Sequence, residues 1–282
     1  MLFILLACSA LISDTVVSTR FSDERFSETP FNSPNGVVAT YEAVAACMGL
    51  DYDPVNDWFW QTSENNGLTV TVDPSDGSFT PRFYLFNVPG LEGLFGNGLY
   101  YDWENTLLYI ADYLGDGGTT YFDAIYCLDV SDPYNPSLVD SWDLNIEEGI
   151  LGITYRAPYF YCTFYSGSLK VLSLSPGGAF TIVDECGVYG LGGIDFDPEG
   201  NVFYTHSALS DNVRVLSGSN PETEIDSFDA GTTLGSGMAL SPSGYLWGSY
   251  FDTEENYVLE NTFTDLSRNS WAAIKVLYMD ND

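Results

Sequence analysis

Residues 107–143 read LLYIADYLGDGGTTYFDAIYCLDVSDPYNPSLVDSWD, and this stretch decides the fold. Three short runs of alternating apolar residues, Leu107–Ala111, Ala124–Val130 and Leu138–Trp142, are parted by two clusters of turn formers. The first cluster holds Gly115, Asp116, Gly117 and Gly118; the second holds Ser131, Asp132, Pro133, Asn135 and Pro136. Alternation gives each run one inward face, and the Gly, Pro, Asn and Asp clusters supply the backbone angles of tight reversals. The stretch therefore predicts three antiparallel strands in succession.

Outward from there the pattern repeats. Five segments open with glycine and an apolar residue: Gly49-Leu50-Asp51-Tyr52-Asp53, Gly98-Leu99-Tyr100-Tyr101-Asp102, Gly152-Ile153-Thr154-Tyr155, Gly193-Ile194-Asp195-Phe196-Asp197 and Gly237-Met238-Ala239-Leu240-Ser241. They lie roughly 40 to 55 residues apart, the period of four-stranded propeller blades. Second strands are expected at Trp58–Thr62, Leu107–Ala111, Tyr159–Thr163, Val202–His206 and Tyr245–Ser249. Third strands follow at Leu68–Val72, Ala124–Val130, Leu169–Leu174, Val213–Leu216 and Tyr257–Glu260, and fourth strands at Phe79–Leu85, Leu138–Trp142, Phe180–Asp184, Glu224–Phe228 and Ala273–Tyr278. No helix-period run of ten or more residues competes. The expected fold is an all-β propeller of five four-stranded blades over residues 37–282, with a two-domain sandwich as the alternative. Val37–Ala46 reads as a strand that pairs with the last blade around Ala273–Tyr278 and closes the ring; residues 20–46 could instead begin a sixth blade.

The recurring glycine has a packing reason: first strands converge on the axis, where a side chain would crowd its neighbours. The turns after them use Asp53-Pro54, Asp197-Pro198-Glu199-Gly200-Asn201 and Ser241-Pro242-Ser243-Gly244. Proline presets φ there, and Gly or Asn is expected at the left-handed corner.

Leu128-Asp129-Val130-Ser131-Asp132-Pro133, with Asn135-Pro136 and Leu138-Val139, resembles the LVIVD repeat of secreted propellers. Gly193 to Leu216 (GIDFDPEGNVFYTHSALSDNVRVL) is similar to the NHL repeat and related lactonase-like propellers. The resemblance implies a fold shared by many functions, among them hydrolases, lactonases and lyases that use axial metal, His or Glu.

Forty Asp and Glu against eight Lys and Arg give a formal charge of −32. Such a field repels phosphate backbones and anionic lipid, which excludes general nucleic-acid or membrane-surface binding. The acids are spread along the chain, as suits a solvated surface or adaptation to salt or divalent cations. Met1–Ile12 (MLFILLACSALI) is apolar but shorter than the roughly 20 residues needed to cross a bilayer. Leu5-Leu6-Ala7-Cys8-Ser9 resembles a lipobox, which would make Cys8 a lipidation site; a plain export signal is the rival reading. Residues 1–20 are accordingly taken as a signal and 21–36 as a polar linker, placing the protein outside the cytoplasm or in the cell envelope. Cys47, Cys127, Cys162 and Cys186 allow three disulfide pairings or four buried free thiols, and none forms a C-x-x-C metal pair.

Function is expected on the face carrying the second-to-third and fourth-to-first loops. Glu64, Asp112, Asp116, His206, Asp211 and Asp252 fall on the first set, and glycine-rich segments 90–98, 187–193 and 231–237 form the second. Converging oxygens there would suit Ca²⁺, with Asp112 and Asp252 as candidate ligands. His206, the sole histidine, is the candidate general base. The Asp51/Asp53 and Asp195/Asp197 pairs lack calcium-loop spacing and are read as turn caps. Tyr113, Tyr121, Phe122, Tyr165 and Tyr250 could present rings to a sugar or a protein. The reading is a monomeric binding module that meets a protein or glycan at the cell surface. A metal-dependent hydrolase or lyase with an axial site is the alternative, and a structural surface-layer component a third possibility.

Overall fold

The computed structural model describes residues 36–261, except for 65, 92–95, 116–120, 188–190, 198–199, 208–211, 233 and 236. Its strands form five antiparallel four-stranded sheets, the blades of a five-bladed propeller. Blade 1 is β2 (Cys47–Asp53), β3 (Trp58–Ser63), β4 (Leu68–Val72) and β5 (Phe79–Tyr84). Blade 2 is β6 (Gly98–Asp102), β7 (Leu107–Gly115), β8 (Tyr121–Asp129) and β9 (Ser137–Asp143). Blade 3 is β10 (Ile150–Arg156), β11 (Tyr159–Phe164), β12 (Ser168–Ser175) and β13 (Ala179–Gly187). Blade 4 is β14 (Leu191–Phe196), β15 (Val202–Ser207), β16 (Asn212–Ser217) and β17 (Asn220–Asp229). Blade 5 joins β18 (Met238–Leu240), β19 (Leu246–Tyr250) and β20 (Glu255–Leu259) to β1 (Val37–Glu42) from the start of the described chain.

That last sheet corrects one expectation. The fourth place in blade 5, assigned from sequence to Ala273–Tyr278, is taken by β1, which pairs directly with β20 from Glu42↔Glu255 to Val37↔Leu259. Residues 273–278 lie outside the described residues. The segment 37–46 thus closes the ring as expected, but against the third strand of blade 5 rather than an added fourth.

The core is divided among the five seams. Trp60, Phe83 and Leu91 of blade 1 pack on Leu99, Leu108 and Ile110 of blade 2, and comparable clusters fill the 2–3, 3–4 and 4–5 seams. At the closing seam, Phe59 and Val70 meet Trp247 and Val258, with Phe59 and Trp247 rings 4.6 Å apart. All four described cysteines are buried free thiols. Burial pushes Cys47 up to about 12 and Cys127 and Cys186 up to about 11, which keeps them protonated at neutral pH.

The glycines form a closed ring at the axis. A Cβ on Gly49 would lie 2.7 Å from Leu99 of the next blade; on Gly98, 2.9 Å from Gly152; on Gly152, 2.7 Å from the Gly192 carbonyl; on Gly193, 2.7 Å from the Met238 nitrogen; and on Gly237, 2.1 Å from the Met48 carbonyl. Each inner strand is therefore in backbone contact with its neighbour, and the fifth contact returns to the first blade. The left-handed corners depart in part from expectation. Gly200 and Gly244 hold them in blades 4 and 5, but Asp57 (φ 58°) and Thr106 (φ 55°) hold them in blades 1 and 2. There a carboxylate anchors the turn: Asp53 accepts from the Val55 and Asn56 N–H groups and Asp102 from Glu104 and Asn105, which offsets the strain on a non-glycine corner.

Candidate functional site

The backbone at and just before the ring glycines needs hydrogen-bond partners, and the second strands supply them. Thr62 Oγ1 accepts the Gly49 N–H at 3.0 Å, Thr163 Oγ1 donates to the Gly192 carbonyl at 2.5 Å, and Ser249 Oγ donates to the Met48 carbonyl at 2.7 Å. In blade 4 this place belongs to His206, whose Nε2 accepts the Gly193 N–H at 3.0 Å. The imidazole is fully buried beneath the backbone of Gly192. His206 thus does in blade 4 what Thr62 does in blade 1, and Nε2 is engaged in holding the ring.

The acidic candidates occupy separate places. Glu64 sits in the turn after β3 and accepts the Tyr113 hydroxyl at 3.1 Å. Asp112 is buried on β7 opposite Ala124, and its charge adds to the burial that pushes Tyr126 up to about 12. Asp252 is exposed beyond β19, where it accepts the Tyr250 hydroxyl at 2.9 Å. Asp116 and Asp211 lie outside the described residues, as do Gly117 and Gly118. Among the described residues no three His, Cys, Asp or Glu side chains are grouped to hold a metal ion.

The Asp pairs divide by role. Asp53 and Asp197 cap their own turns, as expected. Asp51 and Asp195 instead stand two residues after a ring glycine and reach the next blade: Asp51 Oδ2 accepts the Tyr101 N–H at 2.5 Å, and Asp195 Oδ2 accepts the Leu240 N–H at 2.6 Å. Tyr100, Thr154 and Ala239 hold the same position in the other blades. Blades 1 and 4 are not neighbours, yet Asp195 is, after burial itself, the strongest influence holding Asp51 well above the usual carboxylate range. Their carboxylates therefore lie near enough for one charge to act on the other, although they come from non-adjacent blades. Burial pushes Asp195 up to about 7, against the hydrogen bonds it accepts from Leu240, Phe196 and Thr154. Thr154 hydroxyl to Asp195 Oδ1 is a long contact of 3.4 Å.

A second arrangement crosses blades 1 to 3; it joins Glu64, Tyr113 and Tyr165, named from sequence, to a Glu148–Lys170–Glu185 cluster that sequence did not mark. From the Glu64–Tyr113 hydrogen bond, the Tyr113 ring meets Tyr165 edge-on at 6.1 Å. Tyr165 is 60% exposed. Beside it the Ser166 and Ser168 hydroxyls donate to Glu148 Oε2 at 2.5 and 2.7 Å. Lys170 reaches Glu148 at 3.0 Å and Glu185 at 2.6 Å while its side chain is only 2% exposed. Burial alone would lower the Lys170 pKa, but hydrogen bonds to Glu185 and Glu148 outweigh it and raise the value, so the amine stays charged. Burial likewise opposes ionisation of Glu148, and the Ser166, Ser168 and Lys170 hydrogen bonds reverse that and hold its pKa low. A charged ammonium cannot act as a nucleophile. Lys170 is one of two lysines in the sequence, and that scarcity amid apolar strand residues was the available signal. Asp123, at the start of β8, similarly fastens the next connection by accepting the Glu148, Gly149 and Ile150 N–H groups.

No protein-family model and no curated protein matches the chain. Among solved structures it is similar to Myxococcus xanthus glutaminyl cyclase, with a TM-score of 0.58 and 14% identity, over 79% of this chain and 94% of that one. It also aligns with a PQQ-bound aldose sugar dehydrogenase from Streptomyces coelicolor, with a TM-score of 0.49 and 14% identity, over 75% and 76% of the two chains. At such identity the first likeness concerns the fold alone, and the second carries no further weight. No helix among the described residues is long and apolar enough to cross a membrane.

Proposed function

We propose that this propeller is a binding module acting outside the cytoplasm or at the cell envelope, where its loop face meets a glycan or a protein. The observation that carries this reading is the ridge from Glu64 through Tyr113 to the exposed Tyr165, continued by Glu148 and the charged Lys170. Tyrosine pairs an apolar ring with a polar tip at little cost in side-chain entropy, and such rings dominate recognition surfaces. The side chains around them are already held by hydrogen bonds, so little ordering would remain for a ligand to impose. A catalytic reading through His206 draws no support from a ring nitrogen already used by the Gly193 N–H.

The test is retention of the full chain on arrays of surface glycans and envelope proteins, beside the Tyr165→Ala variant. A ligand lost by about tenfold or more in that variant, with an unchanged melting temperature, supports the ridge. Equal retention by both proteins would move the contact elsewhere. Hydrolysis of a lactone or ester panel by the wild-type chain, abolished by His206→Ala in a folded protein, would replace this reading with the enzymatic one.

A further inference from the structure

The seam between blades 1 and 2 carries a cation with no acidic partner among the described residues. Arg82, on β5, lies between two rings, its guanidinium carbon 4.5 Å from the Trp58 centroid and 5.0 Å from that of Tyr134. Nε donates to Thr71 Oγ1 at 2.8 Å and Nη1 donates to Tyr134 Oη at 2.6 Å. A guanidinium has five N–H donors, so the fork keeps others to offer. No carboxylate of the described residues lies within 4.0 Å of it, although the sequence holds 40 acids. Lys170 and Arg214, by contrast, each reach a carboxylate at 2.6 Å.

Arg82 borders a concave groove of about 440 Å³, whose walls include Tyr84, Asn87, Val88, Tyr134 and Asn135. That volume falls within the range of small-molecule sites. The wall chemistry is specific. A planar fork matches a carboxylate bidentately. Half-exposed tyrosine rings offer apolar faces to the C–H side of a sugar ring, and primary amides donate to and accept from hydroxyls. Tyr134 is 55% exposed and Tyr84 38% exposed, so both rings are reachable from solvent.

We propose that this groove binds a carboxylated sugar, a uronate unit, with its carboxylate on Arg82 and its ring against Tyr134. The site stands apart from the Tyr113–Tyr165 ridge and does not depend on it. The protein's negative field disfavours any anion at long range but is screened beyond about 8 Å at physiological salt, which leaves the local guanidinium to decide.

Calorimetric titration of the full chain with digalacturonate and with its dimethyl ester, in about 0.15 M salt, tests the assignment. The acid should bind at least about tenfold more tightly than the ester. Arg82→Gln should remove that preference, bringing the acid down to the ester. Tyr134→Ala should weaken both ligands, and because Tyr134 is an exposed rim residue this variant remains informative if Arg82→Gln fails to fold. Equal affinity for acid and ester, no binding of the acid at about 10 mM, or tighter binding of a short peptide through its terminal carboxylate would each overturn the proposal.

Discussion

Blades 1 to 4 are each folded from one continuous stretch of chain, whereas blade 5 takes three strands from residues 238–259 and its outer strand from residues 37–42. A blade made of consecutive hairpins needs only short loops, so its pairing is entropically cheap. Blade 5 must join segments more than two hundred residues apart, and the closing seam is correspondingly dense. Gln61 and Asn256 exchange amide hydrogen bonds at 2.6 and 3.3 Å across it, the Ala43 N–H reaches the Glu254 carbonyl, and Tyr41 of β1 stacks on Trp247 at 5.5 Å. The chain then passes within a few residues from the rim of blade 5 to the inner strand of blade 1. The difference shows that closure here is a tertiary event, held by the β1–β20 ladder and by side chains at the blade 5–blade 1 seam, while the other blades are secured locally.

Removing β1 should give the largest effect. A chain beginning after Glu42 leaves β20 with an open edge and Trp247 without the Tyr41 ring stacked on it, and it should lose its cooperative thermal transition. A chain ending at Asn261 keeps β1 and should melt far closer to the full protein. Calorimetry of both truncations reads the contrast. A larger loss from the C-terminal truncation would mean that β1 does not carry the closure.

The next comparison sets axis against rim. Gly237→Ala drives a methyl to 2.1 Å from the Met48 carbonyl, where inner strands of blades 5 and 1 touch. Backbone cannot yield there without opening the ring, so a loss of about 3 kcal/mol or more is expected. Gly187→Ala, at the end of outer strand β13, meets nothing within 4 Å and should stay within about 0.5 kcal/mol of wild type. Urea unfolding of the pair measures the difference, and equal losses would refute the packing account of the ring glycines.

This contrast also marks what could be read from the chain and what could not. The ring glycines, the apolar alternation and the Pro- and Asp-bearing turns are local signals repeated in register. They predicted the inner, second and third strands of every blade, and Gly237 could be recognised from its likeness to Gly49. The outer strand of blade 5 could not, because Val37–Glu42 and Ala273–Tyr278 are both plausible strands, and a period of two does not say which partner a strand meets. The site was less legible for a related reason. His206 stood out by scarcity, yet its role comes from replacing a threonine at a fixed ring position, visible only once the register is known. Lys170, Glu148 and Glu185 come from three separate segments, and nothing in their sequence neighbourhoods announces that they meet. Asp51 and Asp195 looked like turn caps because Asp53 and Asp197 beside them are.

The axial acids offer the subtlest break in the comparison, since they belong to ordinary blades 1 and 4 yet depend on the ring being closed. In the unfolded chain Asp195 regains its ordinary value of 3.8, while in the fold burial pushes it up to about 7. Between those limits the native state holds a proton that the unfolded chain releases. Stability must therefore fall as pH rises from about 4 to 7, and this contribution levels off on either side. A full conversion would be about 4 kcal/mol, but Asp195 is only partly buried, and about 2 kcal/mol is the more physical expectation. Asp195→Asn cannot titrate, and it also gives up one of the carboxylate acceptors serving Leu240, Phe196 and Thr154, a cost that does not vary with pH. Unfolding free energies measured from pH 4 to 8 should then show the variant less stable than wild type at pH 4 and recovering by about 2 kcal/mol relative to it at pH 8. Parallel profiles would mean that the axis is wet enough for both carboxylates to ionise freely, and that Asp51 and Asp195 act only as hydrogen-bond anchors between blades.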